Sequence, residues 1–165
     1  PEVRRYPTPL QEMLRDAAAA ARLGLANTTG VRFQINCEVH GHVLMDRDQM
    51  MRVIANLLTN AREALPGPGV IELQASRGRR GSGDEWLNIA VRDTGRGMSE
   101  DFVRNSLFKP FTTTKKAGLG IGLVQCRGIV EAHGGTISVD SVPGNGTTFT
   151  VTLPLSDSTP KPPRA

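Results

Sequence analysis

Hydrophobic positions along the chain follow a helical period in some segments and a strand period in others. Apolar residues recur every three to four positions in three segments, which predict helices from Leu10 to about Gly24, from Asp46 to Leu65 and from Gly120 to His133. Strict alternation with polar residues predicts strands, each with one buried face, within 31–39, 71–75, 87–91, 137–139 and 149–153. Because hairpins dominate this order, the pattern predicts an α+β two-layer sandwich. Its mixed, mostly antiparallel five-stranded sheet is expected to carry three helices on one face.

Cap and turn residues set the predicted ends of these elements. Thr8 before Pro9 predicts the start of the first helix, and Asp46 followed by Gln49 predicts the start of the second. The segment 77–84 is basic and rich in glycine, and it predicts a mobile hairpin tip between two strands. The glycine-rich and threonine-rich sequence after the second of these strands predicts an irregular segment.

Length and composition favour a single globular domain. The 165 residues are 38% hydrophobic and 22% charged, which is too apolar for a disordered chain and sufficient for one hydrophobic core. We expect the domain to span 1–155 and the segment 156–165 to be a disordered tail or linker, because it offers little apolar surface to bury. The chain begins at Pro1, so we also expect it to be a piece of a longer protein.

Charge, apolar runs and cysteines narrow the expected partners and compartment. The formal net charge of +4 suits a phosphorylated ligand but is too small for a nucleic-acid surface. No apolar run approaches about 18 residues, so we expect no membrane span and no membrane contact by this piece. Cys37 and Cys126 lack the spacing of metal ligands and are expected to be buried thiols of a reducing, cytoplasmic compartment, although the sequence leaves one disulfide open.

The second predicted helix carries a polar face that could bind a ligand. Arg52, Asn56, Asn60 and Glu63 share about one third of its circumference, because their spacings of four and three residues return to one face. Charges alone would fit a solvated helix face. Asparagine, however, is unfavourable inside a helix, and its amide oxygen suits Mg²⁺, so the pair Asn56 and Asn60 indicates a ligand site.

A short DTGRGM sequence follows directly on a predicted buried strand. Aspartate and glycine are common in turns, so the sequence alone fits a strand-ending turn equally well. An aspartate held at the end of a rigid strand can also accept a hydrogen bond from an exocyclic amine of a base. In that interpretation Asp93 recognises the amine, while Gly95 and Gly97 allow a flat base to approach the backbone.

Alternating glycines open the third predicted helix. Gly118, Gly120 and Gly122 would expose backbone N–H groups at the positive end of the helix, which favours a phosphate. The spacing matches neither a dinucleotide-binding fingerprint nor a Walker loop. The preceding segment 112–117, TTTKKA, is either a plain polar loop or a cover over the phosphates.

Taken together and in this order, these motifs resemble the catalytic ATP-binding domain of sensor histidine kinases, in the GHKL superfamily. The resemblance rests on RVIANLLTNAREAL at 52–65, DTGRGM at 93–98, FKPF at 108–111 and GLGIGL at 118–123, and it covers roughly 10–155. The segments TTTKKA, EAHGGTISVDS and GNGTTFTVTLP look most like the nitrogen- and oxygen-sensing branch of these kinases, which has a short ATP lid.

The resemblance implies a role for each matched residue. It implies that ATP and Mg²⁺ bind, with Asn60 as the Mg²⁺ ligand, Asn56 near the phosphates and Asp93 as the acceptor for the adenine amine. It further implies that Gly95 and Gly97 shape the base pocket and that the phosphates are cradled by Gly118, Gly120 and Gly122. Lys115 would be the cation of the lid, and Thr147 would contact the water network at adenine. Phe108 and Phe111 would anchor the lid on the core.

The function implied is transfer of the γ-phosphoryl group of ATP to a histidine of a separate dimerisation and phosphotransfer domain. His40, His42 and His133 lie outside any phosphoacceptor motif, so a structural or surface role is expected for each. This piece should be monomeric and inactive alone, whereas its parent should be a homodimer that acts on a response regulator.

Two other functions stay open from the sequence. A GHKL ATPase of the gyrase, chaperone or mismatch-repair type resembles this chain, but it carries a water-activating glutamate one turn before the metal-binding asparagine. Here that position is Asn56, which cannot act as a base, and Glu63 follows Asn60 instead of preceding it. A nucleotide-gated binding module or an anti-sigma serine kinase shares the same motifs.

Overall fold

The fold comprises eleven short elements in a computed structural model, which describes residues 2–23, 30–80, 83–109 and 120–155. In chain order these are β1 (Tyr6–Pro9), α1 (Leu10–Ala20), β2 (Val31–Cys37), β3 (His42–Met45), α2 (Arg47–Ala64), β4 (Gly69–Arg80), β5 (Asp84–Asp93), α3 (Glu100–Asn105), α4 (Gly120–Ala132), β6 (Thr136–Val142) and β7 (Gly146–Pro154). The predicted tail at 156–165 lies outside the described residues.

Five of the strands form one mixed sheet in the order β2-β4-β5-β7-β6. β2 pairs with β4 in parallel, and the other three pairings are antiparallel. The register of β5 against β7 places Asp93 opposite Thr147 at one end of the sheet. The predicted mixed, mostly antiparallel five-stranded sheet is therefore confirmed.

The helices and one face of the sheet enclose the hydrophobic core. Alternate strand residues point into it, whereas their neighbours Gln74, Ala90 and Thr150 on the other face are only half-buried. Deeply buried side chains come from both layers: Leu14, Leu57, Val130, Leu73, Ile89 and Val151. This burial confirms the predicted two-layer arrangement. Within the described residues, no helix is both long and apolar enough to cross a membrane.

α2 begins and ends where the sequence predicts. The side chain of Asp46 accepts a hydrogen bond from the backbone N–H of Gln49 at 3.2 Å, which satisfies one of the free donors at the start of the helix. Near the other end, Arg62 donates to the carbonyl of Ala21 at 2.9 Å and so ties α2 to the end of α1. α2 is thereby fixed against α1 at the end that carries the polar residues.

The start of α1 differs from the prediction. Thr8 does not cap the helix but lies in β1, where its hydroxyl donates to the carbonyl of Tyr6 at 3.0 Å and lies 3.4 Å from the carbonyl oxygen of Met45. β1 pairs antiparallel with β3 in a small second sheet, which places His42 in a strand. The prolines of β1 favour extended backbone, and four-residue strands are too short to show a period.

Three further boundaries also differ. α1 ends at Ala20 instead of about Gly24. The hairpin loop predicted at 77–84 is wrong in its bounds, because β4 and β5 stay paired as far as Arg80 and Asp84, and Glu85 forms ion pairs with Arg77 and Arg79 across the two strands. Besides the three predicted helices, a fourth, α3, begins inside the segment predicted to be irregular. Ser99 caps it by accepting from the backbone N–H of Phe102.

Candidate nucleotide-binding site

Two asparagines project from consecutive turns of α2 on the face predicted to bind a ligand. Asn60 is buried, at 7% exposure, whereas Asn56 is half-buried and Arg52, one turn earlier, is exposed. Hence this face of α2 is not a solvated helix face, because the burial of its polar side chains increases from Arg52 through Asn56 to Asn60. Such a gradient suits a charged ligand whose one end stays near water.

The start of α4 lies directly against Asn56. A side-chain carbon on Gly122 would overlap the amide nitrogen Nδ2 of Asn56, so only glycine leaves that amide its place. One turn further along α4, Cys126 is buried next to the same asparagine. Burial raises the pKa of the Cys126 thiol to about 11, partly offset by a hydrogen bond with Asn56, so the thiol stays protonated and neutral.

The aspartate of the DTGRGM sequence lies at the buried end of β5. Asp93 is 4% exposed, and its carboxylate accepts a hydrogen bond from the backbone N–H of Gly95 at 2.8 Å. The loop then packs on the end of α2, where the carbonyl of Ala64 accepts from the backbone N–H of Arg96 at 3.1 Å. Gly95 passes so close to that carbonyl that a side chain would overlap it. These contacts hold the carboxylate at a fixed position beside α2.

The ends of β6 and β7 close the other side of this loop. Thr147 is 5% exposed and lies opposite Asp93 on the same face of the sheet. Gly97 has a φ of +69°, and a side chain there would overlap the carbonyl of Val142 at the end of β6. Glycine is therefore required at position 97 both by its backbone conformation and by the close approach of β6.

These elements place acceptors, amides and a helix N-terminus around one end of the sheet. Asp93 and Thr147 supply oxygen atoms suited to a base edge, and α4 begins at Gly120 with its positive end toward the Asn56 side. Within the described residues there is no group of three or more His, Cys, Asp or Glu that could hold a metal. A divalent cation would take oxygen from the Asn60 amide and its other ligands from a phosphate or water, which fits the donor chemistry of Mg²⁺.

The structure places the predicted site residues in different ways. Asn56 is in contact with Gly122, and Asp93 is in contact with Gly95. Strand register places Thr147 opposite Asp93, and Gly97 packs on β6. Gly120 is the first residue of α4. Lys115, Gly118 and Phe111 lie outside the described residues. Phe108 is half-buried, and the guanidinium of Arg127 in α4 lies 5.0 Å from the centre of its ring.

Two contacts at the site were missed from the sequence. These are the contact of the Ala64 carbonyl with the DTGRGM loop and the contact of the Ser141 hydroxyl with Thr147. Every residue has a backbone carbonyl, so the residue type at position 64 does not indicate such a contact. The partners of Ser141 depend on strand register, which the sequence does not show directly. The repeated glycines were the one available signal, since each marks a close backbone approach.

His133 and the cysteines agree with a structural role. The ring of His133 is buried; its Nε2 accepts from the backbone N–H of Asp46 at 3.0 Å, and its Nδ1 donates to the carbonyl of Ile129 at 2.8 Å. Burial lowers the pKa of His133 and outweighs the hydrogen bond to Ile129, which raises it; the smaller effects of Arg5 and Asp46 lower and raise the pKa, respectively. Cys37 and Cys126 are both free thiols, and Cys37 is half-buried rather than buried.

A helix-covered mixed sheet with amides on α2, an acidic residue at the end of β5 and glycines at the start of α4 defines a nucleotide-binding domain of the GHKL type. The family of histidine kinase-, DNA gyrase B- and HSP90-like ATPases matches residues 45–157, and the chain belongs to this family.

Similar proteins are sensor histidine kinases. The chain is 36% identical over 151 residues to the sensor protein FixL of Bradyrhizobium diazoefficiens, covering 90% of this chain and 29% of FixL. It is 39% identical over 126 residues to the sensor histidine kinase ZraS of Escherichia coli K12, covering 76% of this chain and 26% of ZraS. The chain thus spans between a quarter and a third of the length of these relatives.

Solved structures agree with the fold. The nucleotide-free catalytic domain of histidine kinase ThkA superposes with a TM-score of 0.79 at 25% identity, covering 92% of this chain and 96% of that one. Full-length ShkA in complex with AMPPNP superposes with a TM-score of 0.77 at 24% identity, covering 97% of this chain and 33% of ShkA. The predicted resemblance to histidine kinase catalytic domains is confirmed.

Proposed function

We propose that this chain is the catalytic domain of a sensor histidine kinase, which binds Mg-ATP and presents its γ-phosphoryl group to a histidine on another domain. The observation that carries the proposal is the fixed carboxylate of Asp93, buried opposite Thr147 and held beside α2, the helix that bears Asn60. The family match and the histidine kinase relatives support the same activity.

Adenine binds with its amine toward Asp93 in this proposal. A carboxylate only accepts hydrogen bonds, so it favours the amine of adenine over the carbonyl of guanine. Gly95 and Gly97 bring backbone next to the base, and Thr147 contacts the base edge directly or through water. Burial strengthens the amine contact, because the competing water is excluded.

The phosphates lie toward Asn56 and the start of α4. Gly120 and Gly122, with Gly118 and Lys115 from the segment before α4, provide backbone N–H groups and a cation for them. Mg²⁺, when bound, neutralises phosphate charge. Asn60 holds the cation through its amide oxygen, and Asn56 orients the phosphate chain from the adjacent turn. In-line transfer then depends mainly on orientation and electrostatics.

The acceptor histidine belongs to the dimerisation and phosphotransfer domain in this proposal. His133 holds the backbone N–H of Asp46 at the start of α2, which is about 20 Å along the helix from Asn60. His42 lies in β3, which leads into the same end of α2, and His40 is an exposed residue two positions before it. The three histidines of the chain thus have no part in the transfer, and a response regulator receives the phosphoryl group next.

An autonomous ATPase is the second candidate, and the residue at position 56 argues against it. An amide cannot remove a proton from water, so Asn56 cannot activate a hydrolytic nucleophile. Glu63 lies on the C-terminal side of Asn60 and has one carboxylate oxygen buried. We further propose that the domain spans 1–155, works in the cytoplasm as a monomeric unit of a homodimeric parent, and is followed by a tail or linker at 156–165.

A phosphotransfer assay in trans tests the proposal. The chain is mixed with γ-labelled Mg-ATP and with the phosphoacceptor domain of the same protein as a separate polypeptide. We expect acid-labile label on the acceptor, none on this chain, and loss of transfer in Asn60→Ala. Label on this chain, or fast phosphate release that persists in Asn60→Ala, would refute the assignment.

A further inference from the structure

The polar end of the sheet contains a row of three side chains on neighbouring strands. Asp93 on β5 lies opposite Thr147 on β7, and Thr147 lies opposite Ser141 on β6. Side chains at paired positions share one face, so all three point toward the helix layer. Asp93 and Thr147 are both buried, and Ser141 is half-buried behind them.

The hydroxyl of Ser141 has three partners. It accepts from the backbone N–H of Met98 at 2.8 Å, lies 3.2 Å from the carbonyl oxygen of Gly146, and lies 2.8 Å from the hydroxyl oxygen of Thr147. Ser141 thus joins β6, β7 and the loop that follows Asp93. Met98 belongs to the same DTGRGM loop that carries the candidate base-binding glycines.

A serine hydroxyl has one proton to donate and two lone pairs to accept with. All three contacts are hydrogen bonds at once only if Ser141 donates to the Gly146 carbonyl and accepts from both Met98 and Thr147. If Ser141 donated to Thr147 instead, its contact with the Gly146 carbonyl would bring two acceptors together without a proton. Complete satisfaction of these groups therefore fixes where the proton of Thr147 points.

We propose that Ser141 is a positioning residue for base selectivity, acting through Thr147. By accepting the proton of Thr147, it leaves that hydroxyl with only lone pairs toward the base, so that Thr147 and Asp93 both act as acceptors. This inference rests on the proposed function, since it concerns the nucleotide bound at the same site.

Two acceptors side by side select a base with an amine at position 6. Adenine carries two N–H bonds there, whereas hypoxanthine carries a carbonyl oxygen, which both acceptors repel. Without Ser141, the Thr147 hydroxyl can rotate and donate to that carbonyl. Loss of Ser141 therefore improves binding of ITP relative to ATP, even if it weakens both.

The ratio of the ITP and ATP dissociation constants, measured by titration calorimetry, tests this inference. We expect wild-type protein to prefer ATP by about tenfold or more, and Ser141→Ala to reduce that preference by about threefold or more. Ser141→Cys introduces a side chain of nearly the same size that is a poor hydrogen-bonding partner, so it should reduce the preference for ATP as Ser141→Ala does. It replaces the alanine variant if that variant is unstable. Ser141→Thr keeps the hydroxyl and should preserve the wild-type ratio.

A background without the Thr147 hydroxyl separates positioning from a merely structural effect. In the Thr147→Val background, the further change Ser141→Ala should not alter the ratio of the ITP and ATP dissociation constants, because valine has no hydroxyl proton for Ser141 to accept. Equal weakening of ATP and ITP by Ser141→Ala, or an undiminished effect in Thr147→Val, would overturn the inference. If wild-type protein binds neither nucleotide, the proposed function fails; if it selects ATP regardless of Ser141, this inference alone fails.

Discussion

Gly122 and Asn56 are packed so closely that a methyl group on Gly122 would occupy the place of the Asn56 amide nitrogen. The contact joins the start of α4 to the middle of α2, on the side of the candidate site proposed to hold the phosphates. Asn56 is flexible at its far end, so the overlap can be relieved by rotating its amide away. The glycine thus preserves the direction of the amide more than the stability of the fold.

Gly122→Ala should therefore weaken Mg-ATP binding by about tenfold while changing the free energy of unfolding by less than about 1 kcal/mol. Gly128 provides the matched control, because it lies in the same helix with open space around it. Gly128→Ala should stabilise the protein by about 0.5–1 kcal/mol and leave ATP affinity unchanged. Calorimetry measures the ATP affinity of both variants, and thermal unfolding measures their stability. Similar ATP affinities in the two variants would show that Asn56 is not part of the nucleotide site.

Asn60 should account for the Mg²⁺-dependent part of nucleotide affinity. Asn60→Ala removes the amide oxygen, so we expect ATP to bind that variant equally with and without Mg²⁺, whereas Asn60→Asp retains an oxygen ligand and the dependence. Asn36→Ala changes an exposed asparagine on β2 and should behave as wild type. A Mg²⁺ dependence that survives in Asn60→Ala would assign the metal to other residues.

His133 should make the stability of the domain depend on pH. Its pKa is lowered in the folded chain from a usual value of 6.5, so the unfolded chain binds more protons in this range. The stability that neutral His133 supports is therefore fully present above about pH 6.5 and lost as the pH falls below it, with a slope of at most about 1.4 kcal/mol per pH unit.

Denaturant unfolding at pH 7, 6 and 5 checks this prediction. His133→Gln should remove the dependence on pH between 7 and 5 that His133 causes, at some cost in overall stability. His40→Gln alters an exposed histidine and should retain the wild-type profile. Equal profiles for wild type and His133→Gln would contradict the burial argument.

The sequence predicts α1, α2, α4 and the large sheet because their signals are local, whereas the six-residue α3 was not predicted. The apolar stripe of α2 and its Asp46 cap lie within one segment, as does the alternation in β4 and β5. β1 and β3 escaped prediction because each has four residues and is stabilised mainly by pairing with the other.

The candidate site likewise contains residues that have a local sequence signal and residues that do not. Residue types and glycine spacing identified Asn56, Asn60 and Asp93 as candidates, since unfavourable asparagines and close-approach glycines leave a mark in the sequence. Ser141 was not identified, and Thr147 was identified only through the family resemblance, because both lie near Asp93 only through strand register, which depends on pairing between distant segments.

The most direct test of the account is the affinity for Mg-ATP and Mg-GTP of wild type, Asp93→Asn and Asp140→Asn. Asn at position 93 keeps the oxygen that accepts from Gly95 but loses the charge, and Asp140 is an exposed aspartate on β6 that makes the same charge change elsewhere. We predict that wild type binds ATP in the micromolar to millimolar range and GTP far more weakly. Asp93→Asn should lose about 1.5–3 kcal/mol of ATP binding, and Asp140→Asn none. Equal affinity for ATP and GTP in wild type, or full ATP affinity in folded Asp93→Asn, would contradict the account.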